Sequence, residues 1–512
     1  MTSISGTAKI FPSLEDISAV IRSLKSEGQI IVQCHGVFDL FHPGHLAHLE
    51  EAKTQGDVLV VTLTPDHLVN KGPGRPVFTQ DQRASIMSGL NVVDFVAITT
   101  SATAVEAIGL VQPDVFVKGP DYSNPDDDLT ENISIEKAAV EAGGGILYFT
   151  QAPTMSSSAL INTHLSRHDS EARVWLENFR NHYSESDVLR WLKDVAELRV
   201  LVIGEAIIDE YVMCEALGKS SKDPVLAFRE ISTERQIGGS LAIARHCAGL
   251  GAQVSCLFRV GSNPVDTDFV AERLSNTVSA HTVVSTSEPT IVKRRYVDSL
   301  TEARVFETYI MHDNSSDSLE NQRMLETLMP LLDDIDLIVV ADYGHGLLSS
   351  EVIAELTASG KMLAVNTQSN AGNRGFNTIS RYPRVDFACL NGSEVGLELR
   401  RRHLTMNELV PQIRSRTGAT RAIVTEGAKG LACCGIDGEV THIPAFTQVV
   451  KDRVGAGDAL FAVTALLSAV HTPADITGFY GNLAGAASVA DLGNRSYVDA
   501  VSLLRHAVAL MK

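Results

Sequence analysis

The 512-residue chain is short of several things, and each shortage removes a class of function. It has seven cysteines, an odd number with no CxxC pair. That counts against zinc-ribbon and dithiol redox motifs and points to reduced thiols in a cytoplasmic chain. Cys433 and Cys434 are adjacent and read as strand filling. No apolar run approaches the ~20 residues of a membrane-spanning helix. The opening MTSISGTAKIFPSLEDISAV has no basic start followed by an apolar core, so no secretion signal is expected. Positive charge is scarce too: 43 Lys and Arg stand against 62 Asp and Glu, a net charge of −19. That balance argues against broad nucleic-acid binding, although a local pocket can still be positive toward a small anionic substrate. GxxxxGK[ST] is missing, which excludes a P-loop, and no HExxH occurs. There is no short repeat and no low-complexity tract.

What is present is α/β alternation on a scale of two or three domains. From Gln29, strand-like runs QIIVQCH, DVLVVTLTP (57–65), DFVAITT (94–100), DVFVKG (114–119) and GILYFTQ (145–151) alternate with helical periodicity. Such alternation predicts a parallel sheet covered on both faces. The pattern stops near Leu165. Residues 166–198 are polar and helical, a connector with Ser186 or Asp187 as N-cap, and Trp175, Phe179 and Trp191 are expected to pack on a domain. A second α/β series starts at RVLVIGE (199–205) and runs through DLIVVADYG, MLAVNTQ, DFACLNG and RAIVTEG. Between Val225 and Ile310 the alternation is that of antiparallel strands, a small sheet standing off the main one. The expected organisation is a domain over 1–165, a helical connector over 166–198 and a domain over 199–512.

In CHGVFDLFHPGHLAHLEEA a strand end runs into His-Pro-Gly-His at a helix start. Pro43 suits an early helical position, and Gly44 allows a ligand close to the backbone. His42 and His45, three apart, are neighbours on a helical turn. With the free N–H groups of the helix start, they suit a phosphate whose charge grows during attack. A zinc site would want further ligands, and none accompanies them. His48, one turn on, reads as helix surface or packing.

GVFDLFHPGH resembles the GxFDxxHxGH signature of the cytidylyltransferase-like nucleotidyltransferase family, and the blocks GDVLVV, KGPGRPV, QDQRASI, DVFVKGPDY and TMSSSALIN extend the resemblance to Leu165. It implies a Rossmann-like domain in which His42 and His45 stabilise the α-phosphate while pyrophosphate leaves. It also implies nucleotide or phosphate contacts from Gly36, Phe38, Lys53, Lys71, Arg83, Ser156, Ser157 and Ser158, and substrate contacts from Lys118 and Asp121. His35 stands where the family often has Thr or Asn.

The far motif is DRVGAGDALF. Gly455, Ala456 and Gly457 at a helix start would aim backbone N–H groups at one place, and Asp458 would set a carboxylate beside it. A kinase needs both: a base for the attacking hydroxyl and donors for the transferring phosphoryl group. With GEAIIDEYV, QIGGSLAIARHCAGLGA, LNGSEV and VTEGAKG, this motif resembles the ribokinase-like, or PfkB, carbohydrate kinases over residues 199–510. The resemblance implies Asp458 as base and Gly455–Gly457 as anion hole. It implies Asp209, Gly238 and Gly239 toward the sugar, Asn391 and Glu394 organising magnesium and phosphates, and Thr425 and Gly427 in the ATP pocket. The antiparallel segment becomes a lid, through which such kinases often dimerise, so a homodimer is expected.

A sugar kinase joined to a nucleotidyltransferase resembles the bifunctional heptose-7-phosphate kinase/heptose-1-phosphate adenylyltransferases of lipopolysaccharide assembly, with the domain order reversed. That resemblance implies ATP, Mg²⁺ and a sugar phosphate. CTP with glycerol phosphate or another polyol phosphate stays open, as does a non-catalytic nucleotide-binding scaffold. Departures are His345 in DYGHG, where the relatives carry Lys, the stretch VNTQSNAGNRGFN in place of an Asp-Pro-Lys, and an acidic insertion between Asp121 and Gly145.

Overall fold

The structure, a computed structural model, describes residues 9–101, 103–120, 132–151, 157–164, 168–311, 318–370, 372–447 and 449–512. By contacts the chain divides into one unit over 1–167, joined by a few C-terminal residues, and a second over 168–507.

The first unit holds one six-stranded sheet: β1 (Ile10–Phe11), β2 (Ile31–Gly36), β3 (Val58–Leu63), β4 (Phe95–Ile98), β5 (Val115–Lys118) and β6 (Ile146–Phe149). The order is β1-β4-β3-β2-β5-β6, parallel throughout. Strand β3 reads VLVVTL and is buried along its whole length, which is why its apolar run is continuous rather than alternating. The two-residue edge strand β1 carries no periodicity long enough to read from sequence. From β2 the chain moves outward to β3 and β4, then crosses to β5 on the other side. The switch therefore falls between β2 and β5, where an open α/β sheet forms a ligand crevice at its carboxyl ends.

The second unit is built from β7 (Arg199–Gly204), β8 (Ala206–Lys219), β9 (Leu226–Gly239), β10 (Gln253–Gly261), β11 (Ser279–Ser285), β12 (Ile291–Asp298), β13 (Arg304–Ile310), β14 (Leu337–Asp342), β15 (Met362–Thr367), β16 (Phe387–Asn391), β17 (Arg421–Thr425), β18 (Leu431–Cys434) and β19 (Val440–Ile443). Nine of these make the main sheet, β11-β10-β7-β14-β15-β16-β17-β18-β19, parallel from β11 to β17. Its switch point lies between β7 and β14. The other four form a separate sheet, β13-β12-β8-β9. The sequence predicts a small sheet between Val225 and Ile310; the observed one differs in taking β8 from before that range, in leaving β10 and β11 to the main sheet, and in pairing β12 parallel to β8, while β8–β9 and β12–β13 are antiparallel.

The helix Ala456–Ala469 is buried from Asp458 to Ser468, and helix Ala474–Val489 packs beside it. Small residues permit that approach; a Cβ on Gly481 would stand 2.6 Å from Thr464. The stretch read as a connector forms helices Ser170–His182, Glu185–Leu189 and Trp191–Val195 that pack on the second unit. Trp175 lies 5.6 Å from the Phe446 ring and Phe179 4.8 Å from Phe479, while the Tyr480 hydroxyl donates to Val188 O at 3.2 Å. Trp191 joins none of these rings and instead carries the Arg190 guanidinium. The cap of the middle helix is Ser184 rather than Ser186 or Asp187, because Ser184 accepts from the Asp187 N–H and Asp187 answers in a reciprocal capping box. Among the described residues no helix is long and apolar enough to cross a membrane.

Two candidate active sites

The first site lies at the β2–β5 switch. His42 is the N-cap of helix Pro43–Lys53, with Pro43 at its first position. The His42 Nδ1 accepts the His45 N–H at 3.3 Å, and the two rings stack 3.8 Å apart at 14°. A neutral His42 that accepts at Nδ1 carries its proton on Nε2. That Nε2 and the His45 Nδ1 are both buried with no hydrogen-bond partner. Buried polar atoms normally find one, so two orphans at a helix start mark a place for a ligand. Burial lowers both imidazoles below the usual histidine range, His45 to about 3, with His42, Lys71 and His48 adding repulsion. Both are therefore neutral at pH 7.

The loop that presents them is held under strain. Phe38 and Leu40 take φ of +49° and +45°, left-handed values unusual for such side chains. Asp39 fixes the loop by accepting N–H groups from Leu40, Val77 and Phe78 at 2.9–3.0 Å. Phe38 meets the His45 ring edge-on at 5.3 Å, and a Cβ on Gly36 would stand 3.2 Å from the Phe38 ring. Lys71 is near enough to His45 to act on its charge. Lys118 ends β5 and pairs with buried Glu136 at 2.6 Å. Ser157 and Ser158 open helix Ser157–His164. Ser156 and Asp121 lie outside the described residues.

Two of the expected phosphate contacts are corrected. Arg83 is wholly buried, donating to the carbonyls of Val37, Thr64 and Phe78 and to Asp66. It braces the loop from behind, with its guanidinium committed to the protein itself. Lys53 sits at the last turn of the 11-residue helix that His42 opens, and it is paired with Asp94 and with Asp57 O. At ~1.5 Å rise per residue, that turn is remote from the histidines.

The second site follows the carboxyl edge of the nine-stranded sheet. Gly455 caps helix Ala456–Ala469 with φ +83°, and no side chain caps it, so its first N–H groups remain open. A Cβ on Gly455 would lie 2.0 Å from Asn494 Oδ1, whereas one on Gly457 would meet nothing within 4 Å. The open space thus lies over Gly457, beside Asp458. Asp458 is buried, and its Oδ1 accepts from the Tyr343 hydroxyl at 2.9 Å and the Gln368 amide at 3.1 Å. Burial and then the charge of Asp209 push its carboxyl up to about 6; Tyr343, Lys293 and Gln368 pull the other way. Such a carboxyl is poised near the operating pH of a general base.

Asp209, on β8, is engaged by Arg295 from β12 and by Asn494 at 3.4 Å. Gly238 is glycine because that carboxylate fills its side-chain space, 2.3 Å from the position of a Cβ. Gly239, with φ +60°, would bring a Cβ to 2.6 Å from Glu205 O. Glu205 spans the switch point, accepting the N–H groups of Tyr343 and His345 at 3.0 Å, and burial with nearby Asp342 pushes its carboxyl up. Asn391 and Glu394 form a capping box at the end of β16; Glu394 also accepts Ser369 N at 3.0 Å, and burial raises it. Thr425 pairs across the sheet with Asn391, and Gly427 follows with φ +60°.

The sequence reading missed Asp39, Lys293, Arg295, Tyr343, Gln368 and Asn494. Asp39 was visible as the Asp of GVFD. The others lie up to 285 residues from the group they hold, and no local pattern connects such pairs.

Against known proteins, the cytidylyltransferase-like family matches residues 34–163 and the pfkB family of carbohydrate kinases residues 197–500. A bifunctional protein HldE from Chromohalobacter salexigens is 38% identical over 149 residues, covering 29% of this chain and 30% of that one. Its counterpart from Desulfatibacillum aliphaticivorans is 36% identical over 160 residues, 31% of each. The chain thus spans about three-tenths of the length of these curated relatives. Two crystal structures of phosphofructokinase-2 from Escherichia coli, the complex with potassium and the complex with substrates and products, share the fold over 62% of this chain and all of theirs. Their TM-score is 0.51, with identity of 16% and 15%. A match of 304 residues in 512, taking in the GAGD turn and its carboxylate, means that the chain belongs to the pfkB family of carbohydrate kinases.

Proposed function

We propose that the chain is a bifunctional sugar-activating enzyme. The second unit transfers phosphate from ATP to a sugar or sugar phosphate, and the first joins ATP or CTP to a sugar phosphate with release of pyrophosphate. A heptose-like sugar bound for lipopolysaccharide or another surface glycan fits the resemblance to the HldE proteins. The observation that carries the reading is that each unit holds its own reacting group in readiness: two orphaned imidazole nitrogens in one, and Asp458 beside an open helix start in the other.

In the kinase, Asp458 takes the proton of the acceptor hydroxyl as the oxygen attacks phosphorus. The N–H groups of Ala456 and Gly457 receive the charge of the transferring group. In the transferase, Nε2 of His42 and the adjoining His45 donate to the α-phosphate, and Lys71 adds positive charge near them. Lys118, Ser157 and Ser158 belong to the same crevice, and Asp209, Gly238 and Gly239 to the sugar pocket. Mg²⁺ needs few protein ligands and keeps water and phosphate oxygens. Glu394 fits that mode: each of its oxygens takes one backbone N–H and retains a lone pair. Asn391, Thr425 and Gly427 stand beside it on the nucleotide side. When bound, the ion neutralises the polyphosphate of the nucleotide.

The enzyme is expected to act in the cytoplasm as a homodimer. Support for the dimer is the largely apolar hollow of about 580 Å³ on the lid, where Val225, Leu226, Phe228, Tyr296, Val305 and Phe306 line it together with Cys214 and Glu230.

Product analysis by mass spectrometry tests the proposal. The protein is incubated with Mg²⁺, ATP, CTP and a panel of sugars, sugar phosphates and polyol phosphates that includes heptose 7-phosphate. A heptose bisphosphate is expected from heptose 7-phosphate, and ADP-heptose from heptose 1-phosphate. A CDP-polyol would replace the substrate and nucleotide, and nucleotide binding without turnover would leave a scaffold.

A further inference from the structure

In the turn after β14 and the stretch after β15 this chain has His345 and the run NTQSNAGNRGFN. Five of the run's twelve residues are neutral amides, and one of them reaches the carboxylate of Asp458. Gln368 and Tyr343 both donate to Oδ1 of Asp458. The loop is stitched to the turn that presents Tyr343: Asn370 and Asn373 donate to Tyr343 O at 3.0 and 2.7 Å, and Asn377 donates to Asp342 O at 2.9 Å. Gly344, with φ +72°, leaves the room this needs, since a Cβ there would lie 2.2 Å from the Asn373 amide nitrogen. Asn370 also reaches the ring of His345, which is fully buried.

We propose that Gln368 and Tyr343 are positioning residues of the kinase centre: together they fix Oδ1 of Asp458 and leave Oδ2 to take the acceptor proton, while the asparagine loop locks both donors in place. The inference rests on the kinase reading of Asp458. In that step the acceptor O–H gives its proton to Oδ2, the new O–P bond forms, the bond from the γ-phosphorus to ADP breaks, and the proton later leaves to solvent. A carboxylate held through one oxygen cannot rotate away from the acceptor, which preserves the near-attack geometry.

The charged and titratable groups facing Asp458 are Asp209 from β8, Lys293 from β12 and Tyr343 itself. Arg295 is taken up by Asp209. Each neutral donor stabilises the ionised carboxylate, so removing one raises the pH at which Asp458 ionises.

The test reads ionisation and turnover separately. The full chain is labelled with 3-fluorotyrosine, and the Tyr343 resonance is identified by its loss in Tyr343→Phe. Its shift follows the charge on Asp458 and stops titrating in Asp458→Asn. In Gln368→Ala the midpoint is expected to rise by about half a pH unit or more. The acidic limb of the kinase rate should move with it, and kcat should fall about tenfold while acceptor KM changes less than about twofold. Gln368→Glu, of equal size but without the donor, should raise the midpoint further and serves if Gln368→Ala does not fold. An unmoved midpoint overturns the proposal whether or not the kinase is active, and so does a moved midpoint with unchanged kcat. A moved midpoint in a protein that phosphorylates nothing in the panel leaves the holding of Asp458 intact and sinks the kinase reading instead.

Discussion

At the scale of single residues, chemistry follows from which atoms are left without partners. The Nε2 of His42 and Nδ1 of His45 have none, and loss of one transition-state donor costs about 10²–10³ in rate. His45→Ala is therefore expected to abolish detectable pyrophosphate release while ATP-dependent sugar phosphorylation continues. Asp458→Asn should do the reverse, and assays of both reactions on both variants check the pair. The histidines were legible because their spacing and the helix start are local. Arg83 and Lys53 were misread for the same reason: a sequence block shows that a cation is near a motif, not which way it faces. Burial turned Arg83 toward three carbonyls, and one helix length took Lys53 away from the turn.

Among elements, the turn before helix Ala456–Ala469 is the best example of a segment defined by its neighbours. Gly455 tolerates no side chain, because its φ is left-handed and Asn494 occupies the space. Gly455→Ala should lower kinase kcat by at least about tenfold, at a cost of ~1–3 kcal/mol in stability readable by urea unfolding. Asp452, just ahead, accepts from Tyr211 of β8 at 2.7 Å, from Val454 and Gly493, and from Arg304 of β13, so the lid is tied to the anion-hole turn. Arg304 is partly exposed, so its pair with Asp452 is worth at most ~1 kcal/mol. Arg304→Ala should raise acceptor KM up to about fivefold and leave the melting temperature nearly unchanged. Helix Ser240–Gly249 is tied to the segment before the last helix, where buried His246 accepts the Val498 N–H at 3.0 Å. Burial, with Arg245 nearby, lowers His246 to about 3. The unfolded chain protonates near 6.5 and the folded one does not, so stability is lost as pH falls below 6.5. By pH 5 the loss from this one group is ~2 kcal/mol. Urea midpoints at pH 7 and 5 should converge in His246→Gln relative to the parent.

For the whole molecule, two reaction centres on separate sheets predict that the activities complement between chains. A mixture of His45→Ala and Asp458→Asn, given heptose 7-phosphate and heptose 1-phosphate, should form both the bisphosphate and the nucleotide sugar, and each variant alone only one of the two. A folded variant that loses both reactions would mean that the two centres are not independent. The apolar lid belongs to this scale as well. Phe306→Asp is expected to convert a dimer to a monomer in light scattering, since Phe306, stacked on Tyr296 at 4.2 Å, remains 45% exposed in the single chain.

The amino-acid sequence by itself determined the α/β class, the change from parallel to antiparallel alternation, and both reacting motifs. These depend on periodicity and on residues within a few positions of each other, which a linear chain displays directly. Only the tertiary structure decided the parallel pairing of β12 with β8 and the packing of helices 170–195 on the second unit. It alone assigned Arg83 to carbonyls and placed Gln368 on Asp458, 90 residues away. Those outcomes are contacts between distant segments, fixed by which faces are buried together and by the need of every buried polar group for a partner.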